Sequence, residues 1–173
     1  DDQVWLRAQH AAWQQVVARA VDAVAGDGGF VLSVHTYAPR SVAVEVDDAI
    51  VRSLRAAWAL HRRESWPLRP EVDLIVRDPE GALRADPRVV ADLVAALAVR
   101  GVTAAQSGTY TLHPVTPPHG FALRWPGQTL CFEVRRDLLT DAWEPFVVLP
   151  ISAARIAPFA DAVVAALPDP PTV

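Results

Sequence analysis

Phe30-Val31-Leu32-Ser33-Val34-His35-Thr36-Tyr37-Ala38-Pro39-Arg40 decides the fold. Its first five residues are apolar except for Ser33, most are β-branched or aromatic, and Gly26, Gly28 and Gly29 stand before them. A short apolar run after a glycine cluster reads as a buried, parallel strand. The run stops at an imidazole, His35, and Pro39 then forbids the ladder from continuing. In open α/β sheets ligands lie in the crevice outside the carboxyl ends of the strands, so His35 is placed to be a metal ligand or a proton shuttle. A histidine that merely caps a loop is the plainer alternative.

On the amino-terminal side, residues 3–25 carry Trp13, Val16, Val17, Ala20, Val21 and Val24 at a period near 3.6, an amphipathic helix stopped by Gly26. On the other side, Asp47 or Asp48 caps a second helix expected to run to about Arg63. His61 and Glu64 there have a His-x-x-Glu spacing, but among arginines they read as a solvated charged face. Residues 72–76 form a short apolar strand with Asp73 embedded in it. A third helix has full punctuation: Asp86 at the N-cap, Pro87 at the first position, Val90, Leu93, Val94 and Leu97 on one face, and Gly101 as the stop. Residues 102–105 are the next strand.

Residues 108–127 show no helical period and hold Pro114, Pro117, Pro118 and Pro126, so a long loop or a set of irregular edge strands is expected, and loops of this length line sites; His113, His119 and Arg124 lie in it. Residues 129–135 then alternate, Leu130, Phe132 and Val134 one way, Cys131, Glu133 and Arg135 the other. A carboxylate inside so apolar a strand needs a cation or a functional cleft, and Arg135 on its own face is the structural candidate for partner. Residues 146–149 are another apolar piece. A last helix is entered through Ser152 and Pro158, buries Ile156, Phe159, Val163 and Leu167, and stops at Pro168 and Pro170. Strand and helix alternate throughout, which predicts a single α/β domain over 1–173, a mixed, mostly parallel sheet with helices on both faces.

Composition narrows the function. With 173 residues, 51% of them hydrophobic and 21% charged, the chain can build one sizeable core. The net charge of −4 and the lack of a basic block argue against nucleic acid or an anionic membrane as partner. No apolar run approaches the ~20 residues that span a bilayer. All 16 basic residues are arginine, which removes lysine chemistry, and the single cysteine, Cys131, fits a reducing cytoplasm.

Ser33-Val34-His35-Thr36-Tyr37 resembles the strand-end His-Ser/Thr-Tyr segment of zinc carboxypeptidases and is similar to the Asp-x-His-Ser segment of the N-formylglutamate amidohydrolases. Phe132-Glu133-Val134-Arg135, followed by Phe146-Val147-Val148-Leu149-Pro150, resembles the carboxypeptidase Phe-Glu-Leu-Arg and the later Phe-x-Leu-Pro before a last helix. The order of the segments, with Arg69-Pro70-Glu71-Val72-Asp73 entering a strand and Arg124 in a Pro-rich loop before the glutamate, looks more like the amidohydrolases. The resemblance implies a three-layer, carboxypeptidase-like sandwich and a zinc-dependent hydrolase of the N-formylglutamate amidohydrolase type, cleaving an amide or peptide bond near a substrate carboxylate. Carried over, His35 is a zinc ligand and Glu133 the general acid/base. Arg124 anchors the substrate, with Tyr37, Arg40 and Arg135 as further rim residues.

Ser33 stands where the amidohydrolases have an aspartate. Both families place two more zinc ligands, a His and a Glu, before the histidine strand, and the 34 residues ahead of His35 offer none at a chelating interval. Together with a start at Asp1-Asp2 and no methionine, this makes the chain an expected carboxyl-terminal part of a longer hydrolase, with its other ligands upstream. The competing readings are a non-catalytic domain that binds carboxylate ligands without a complete metal site, and a plain structural domain in which Glu133 pairs with Arg135.

Overall fold

A computed structural model of the chain describes residues 2–168. In chain order the elements are α1 (Asp2–Gly26), β1 (Val31–Tyr37), α2 (Ile50–Ala57), α3 (Leu60–Arg63), β2 (Val72–Ile75), α4 (Pro87–Val99), β3 (Ala104–Gln106), α5 (Pro117–Arg124), β4 (Thr129–Arg135), a 3₁₀ turn (Arg136–Leu138) and α6 (Ala153–Ala166). The sheet order is β1-β4-β2-β3; β1 and β4 run parallel, β2 and β3 run parallel, and β4 meets β2 antiparallel. Helices cover both faces, as the alternation of strand and helix predicts. Among the described residues no helix is long and apolar enough to cross a membrane.

One face of the sheet carries the core. Val72 and Leu74 of β2 and Leu130, Phe132 and Val134 of β4 are buried against Val90, Leu93 and Leu97 of α4 and Phe159, Ala162 and Ala166 of α6. α4 has the ends its sequence demands: the Asp86 carboxylate accepts the Arg88 N–H at 2.7 Å, Pro87 follows where no amide hydrogen is needed, and Gly101 takes φ +73° just beyond the C-terminus. α6 keeps Pro158 inside it, and its buried row is Phe159, Ala162 and Ala166, while Ile156 is exposed. Pro170 lies outside the described residues.

The opposite face is thinner and more polar. Ile75, Leu112, Ala122 and Cys131 form a small cluster beneath α5. Sequence reading expects a loop at residues 117–124, but the two adjacent prolines occupy the first two positions of a helix, where their missing N–H groups cost nothing.

α1 forms where the apolar period places it, yet only Val21 and Ala25 are buried, and Trp13, Val16 and Val24 stand exposed. A 25-residue helix is about 37 Å long, whereas the seven-residue strand beside it spans about 23 Å, so only the last turns reach the sheet and α5. The helix expected over residues 47–63 is broken at Trp58-Ala59, where the Trp58 ring turns in against Trp143. The apolar piece at residues 146–149 is not a strand; Phe146 has φ +64° and packs under the Arg55 guanidinium.

Leu93 is fully buried between α4 and the sheet, and Val99 ends the same helix at 85% exposure. Leu93→Ala is expected to cost about 2–5 kcal/mol and Val99→Ala less than about 0.5 kcal/mol in urea unfolding monitored by circular dichroism.

Candidate functional site

Strand register assembles the site. His35 of β1 is the direct partner of Glu133 of β4, and Glu133 is in turn the partner of Asp73 of β2, so imidazole, carboxylate and carboxylate form one row across the sheet on the face away from the core. Side chains on paired strands stand about 5 Å apart. The alternation of β4 does this: Phe132 and Val134 go to the core and leave Cys131, Glu133 and Arg135 to the other side.

Each member of the row has a different environment. Asp73 is fully buried, and its two oxygens accept the Gly108 N–H at 2.9 Å and the Thr109 N–H at 2.6 Å. Those bonds hold the loop after β3 over the sheet. Ser107, at φ +52°, starts that loop; its hydroxyl oxygen accepts the N–H groups of Val76 and Arg77 at 3.0 Å each, which holds the left-handed backbone in place. His35 is exposed, and its Nε2 lies 3.1 Å from the Ser33 hydroxyl. Glu133 differs from both: its Oε2 is buried with no hydrogen-bond partner. Burial pushes the Glu133 carboxyl above the ordinary carboxylate range, against the pull of the nearby His35 and Arg69, and the charge of Asp73 pushes the same way as burial.

The row opens into a cleft of about 390 Å³, lined by His35, Glu133, Cys131, Ile75, Tyr110 and His113 among others. Sequence placed His113 in the Pro-rich loop; the structure brings it to the cleft, its Nδ1 accepting the Val115 N–H at 3.3 Å. Burial, with the charges of Glu133 and Asp73, pushes the Cys131 thiol up to about 12, which disfavours the thiolate form.

The four rim residues sit as follows. Tyr37 is buried, donates its hydroxyl hydrogen to the Pro70 carbonyl at 2.6 Å, and has its phenol pushed upward chiefly by burial. Arg40 pairs with the Glu64 carboxylate at 2.6 Å and donates to the Trp66 carbonyl at 2.7 Å, which also accounts for Glu64 of the His-x-x-Glu spacing. Arg135 does not pair with Glu133: its Nε donates to Asp137 at 2.9 Å and its Nη1 to the Arg69 carbonyl at 3.0 Å. Arg124 pairs with Asp22 of α1 at 3.0 Å and borders a separate depression between α1 and α5. The register brings His35 and Glu133 together; it ties Arg40, Arg124 and Arg135 to partners of their own. Arg69 comes to the site unannounced, its guanidinium between the rings of Tyr37 and Tyr110.

Neither a protein-family model nor a curated protein matches the chain. A solved structure does: that of N-formylglutamate amidohydrolase from Ralstonia eutropha JMP134, with a TM-score of 0.50 and 17% identity over 93% of this chain and 48% of that one. The chain shares its fold with an amidohydrolase. It spans about half the length of that protein, and at this identity the likeness is one of fold.

The side chains of the described residues do not make a complete donor set for zinc. Among the described residues no three His, Cys, Asp or Glu could hold an ion together, and Asp73, the nearest further carboxylate in the row, is already committed to two backbone amides. A catalytic zinc takes about three protein ligands, so these residues alone do not fit it.

Glu133 is stored in an unfavourable state, and stability should show it. A carboxyl whose folded pKa is raised is penalised in full above that pKa, progressively less as pH falls toward the unfolded value, and not at all below the unfolded value, where it is protonated both folded and unfolded. Glu133→Gln is therefore expected to raise Tm by about 2–4 °C at pH 7.5, the response of a domain this size to about 1 kcal/mol, and to leave Tm unchanged near pH 4, as read by differential scanning calorimetry.

Proposed function

We propose that the chain carries the proton-transfer half of a hydrolase site that cleaves an amide or peptide bond close to a substrate carboxylate, of the N-formylglutamate amidohydrolase type. The observation that supports it is the buried, partnerless oxygen of Glu133, opposite His35 on the floor of an open cleft. A structural carboxylate in a strand would be neutralised by its neighbours; this one is left available to something that enters the cleft. Its raised pKa suits the task. A base held nearer to neutrality takes a proton from an attacking water and returns it to the departing amine more readily than an ordinary glutamate. His35 supplies a second polar group within one strand spacing, and the small cluster of Ile75, Leu112, Ala122 and Cys131 gives the cleft an apolar floor that limits water.

Zinc belongs to this proposal as an expectation about His35 alone: the imidazole is one ligand, and the others come from polypeptide other than the described residues. No step is derived through the ion. The shortage of ligands also favours a second reading, a domain that binds carboxylate ligands in the same cleft without turnover. A small-molecule carboxylate or peptide-like substrate is common to both.

Assay of N-formyl-L-glutamate and N-acetyl-amino-acid hydrolysis, with and without added Zn²⁺ and with metal content measured by emission spectrometry, separates the two. The hydrolase reading expects turnover that rises with pH through a midpoint above the ordinary carboxylate value and falls about 10²–10⁴-fold in Glu133→Gln at unchanged metal content. Turnover that survives Glu133→Gln removes the assignment, and binding without turnover or stoichiometric zinc leaves the second reading.

A further inference from the structure

Arg69 is held near the cleft through both its backbone and its side chain. Its backbone is held on both sides, the N–H donating to the Pro39 carbonyl at 2.9 Å and the carbonyl accepting from Arg135 at 3.0 Å. Its guanidinium lies 5.2 Å from the centre of the Tyr37 ring and 5.3 Å from that of Tyr110, and its Nε donates to the Ser41 hydroxyl at 2.9 Å. Two aromatic faces and one hydrogen bond therefore set the plane and the direction of the fork. The two terminal nitrogens have no hydrogen-bond partner among the described residues. The other rim arginines end in a carboxylate, Arg40 on Glu64, Arg124 on Asp22 and Arg135 on Asp137, while Arg136, just past β4, is spent on the Thr36 hydroxyl and carbonyl.

Position gives the rest. Tyr37 lies two residues beyond His35 on the same face of β1, so Arg69 stands one side-chain step, about 7 Å, past the His35–Glu133 row along the strands. Tyr110 lines the cleft itself. Arg69 is close enough to Glu133 to pull on its ionisation, yet it makes no bond to it and leaves Oε2 unpartnered.

We propose that Arg69 is the specificity-determining residue of the site, taking a substrate carboxylate in a two-pronged hydrogen bond while the amide of the same small molecule lies over Glu133 and His35. This rests on the hydrolase reading for the amide, though not for the anion. The 7 Å step fits an N-acyl amino acid, whose carboxylate is separated from its amide by only a few bonds. A planar fork pre-set between two rings loses little freedom on binding, and a carboxylate matches it with two parallel bonds.

The test needs no turnover. Titration calorimetry of the full chain with N-acetyl-L-glutamate, and with its dimethyl ester, asks whether the charge is read at all. Saturable binding of the acid is expected, about 10-fold or more tighter than of the ester. Arg69→Gln should lose about 10-fold or more in affinity, Arg69→Lys should fall between because it keeps the charge without the fork, and Arg88→Gln, exposed on α4 at the far face of the sheet, should stay within about 2-fold. Tyr110→Leu, which removes one ring and leaves the guanidinium, should weaken binding by a smaller factor, and it serves if Arg69→Gln fails to fold. Equal binding of acid and ester, absence of saturable binding, or unchanged affinity in Arg69→Gln overturns the proposal. Binding that depends on Arg69 in a protein whose hydrolysis is absent or indifferent to Glu133 would instead retain the anchor and remove the hydrolase reading.

Discussion

The buried carboxylate of Asp73 is the constraint from which the site follows. It sits at 0% exposure in the middle of the sheet, and such a charge is tolerable only because two backbone amides meet its two oxygens. Those amides belong to Gly108 and Thr109, so satisfying the charge fixes the start of the loop that carries Tyr110 and His113 into the cleft. The approach is close: a side chain on Gly108 would come within 3.0 Å of the Ala105 methyl group and 3.5 Å of Pro70. Glycine is there because the amide must come close to the carboxylate.

The same charge shapes its neighbour. Glu133 lies beside Asp73 in the register and cannot share its amides, which are used up. Burial and the adjacent anion both favour the proton on Glu133, and the nearby His35, Arg69 and Arg136 only moderate the effect. Two carboxylates one strand apart thus take opposite parts, one fully bonded and structural, the other partnerless and facing the cleft. The stability lost at Glu133 is carried by the core on the far side of the sheet, where Phe132 and Leu74 are packed without exposure to spare.

Local chemistry was legible in the sequence and long-range pairing was not. The ends of α4 could be written from Asp86, Pro87 and Gly101 because a cap, a proline and a stop act within one turn. The alternation of β4 sorted Phe132 from Glu133 because a strand has a period of two. The identity of the strand beside β4 has no such signature, so the opposition of His35 and Glu133 rests on a contact across about a hundred residues, and resemblance, not periodicity, pointed to it. Residues 117–124 show the limit from another side: paired prolines read as a loop until their place at a helix start is known. Arg124, Arg135 and Arg69 could not be told apart by sequence. What separates them is whether a carboxylate such as Asp22 or Asp137 happens to lie within reach: Arg124 has both a ring, Trp125, and a carboxylate, whereas Arg69 has two rings and no carboxylate.

β4 binds parallel to one neighbour and antiparallel to the other, with apolar and polar side chains in strict alternation. A shift of one residue against either neighbour would drive Glu133 into the space between α4 and α6 and expel Phe132 into the cleft. Errors of pairing are therefore rejected by the packing of the far face before any ligand arrives. The chain proofreads its own site while it folds, and no copy with an intact interior can present the wrong row.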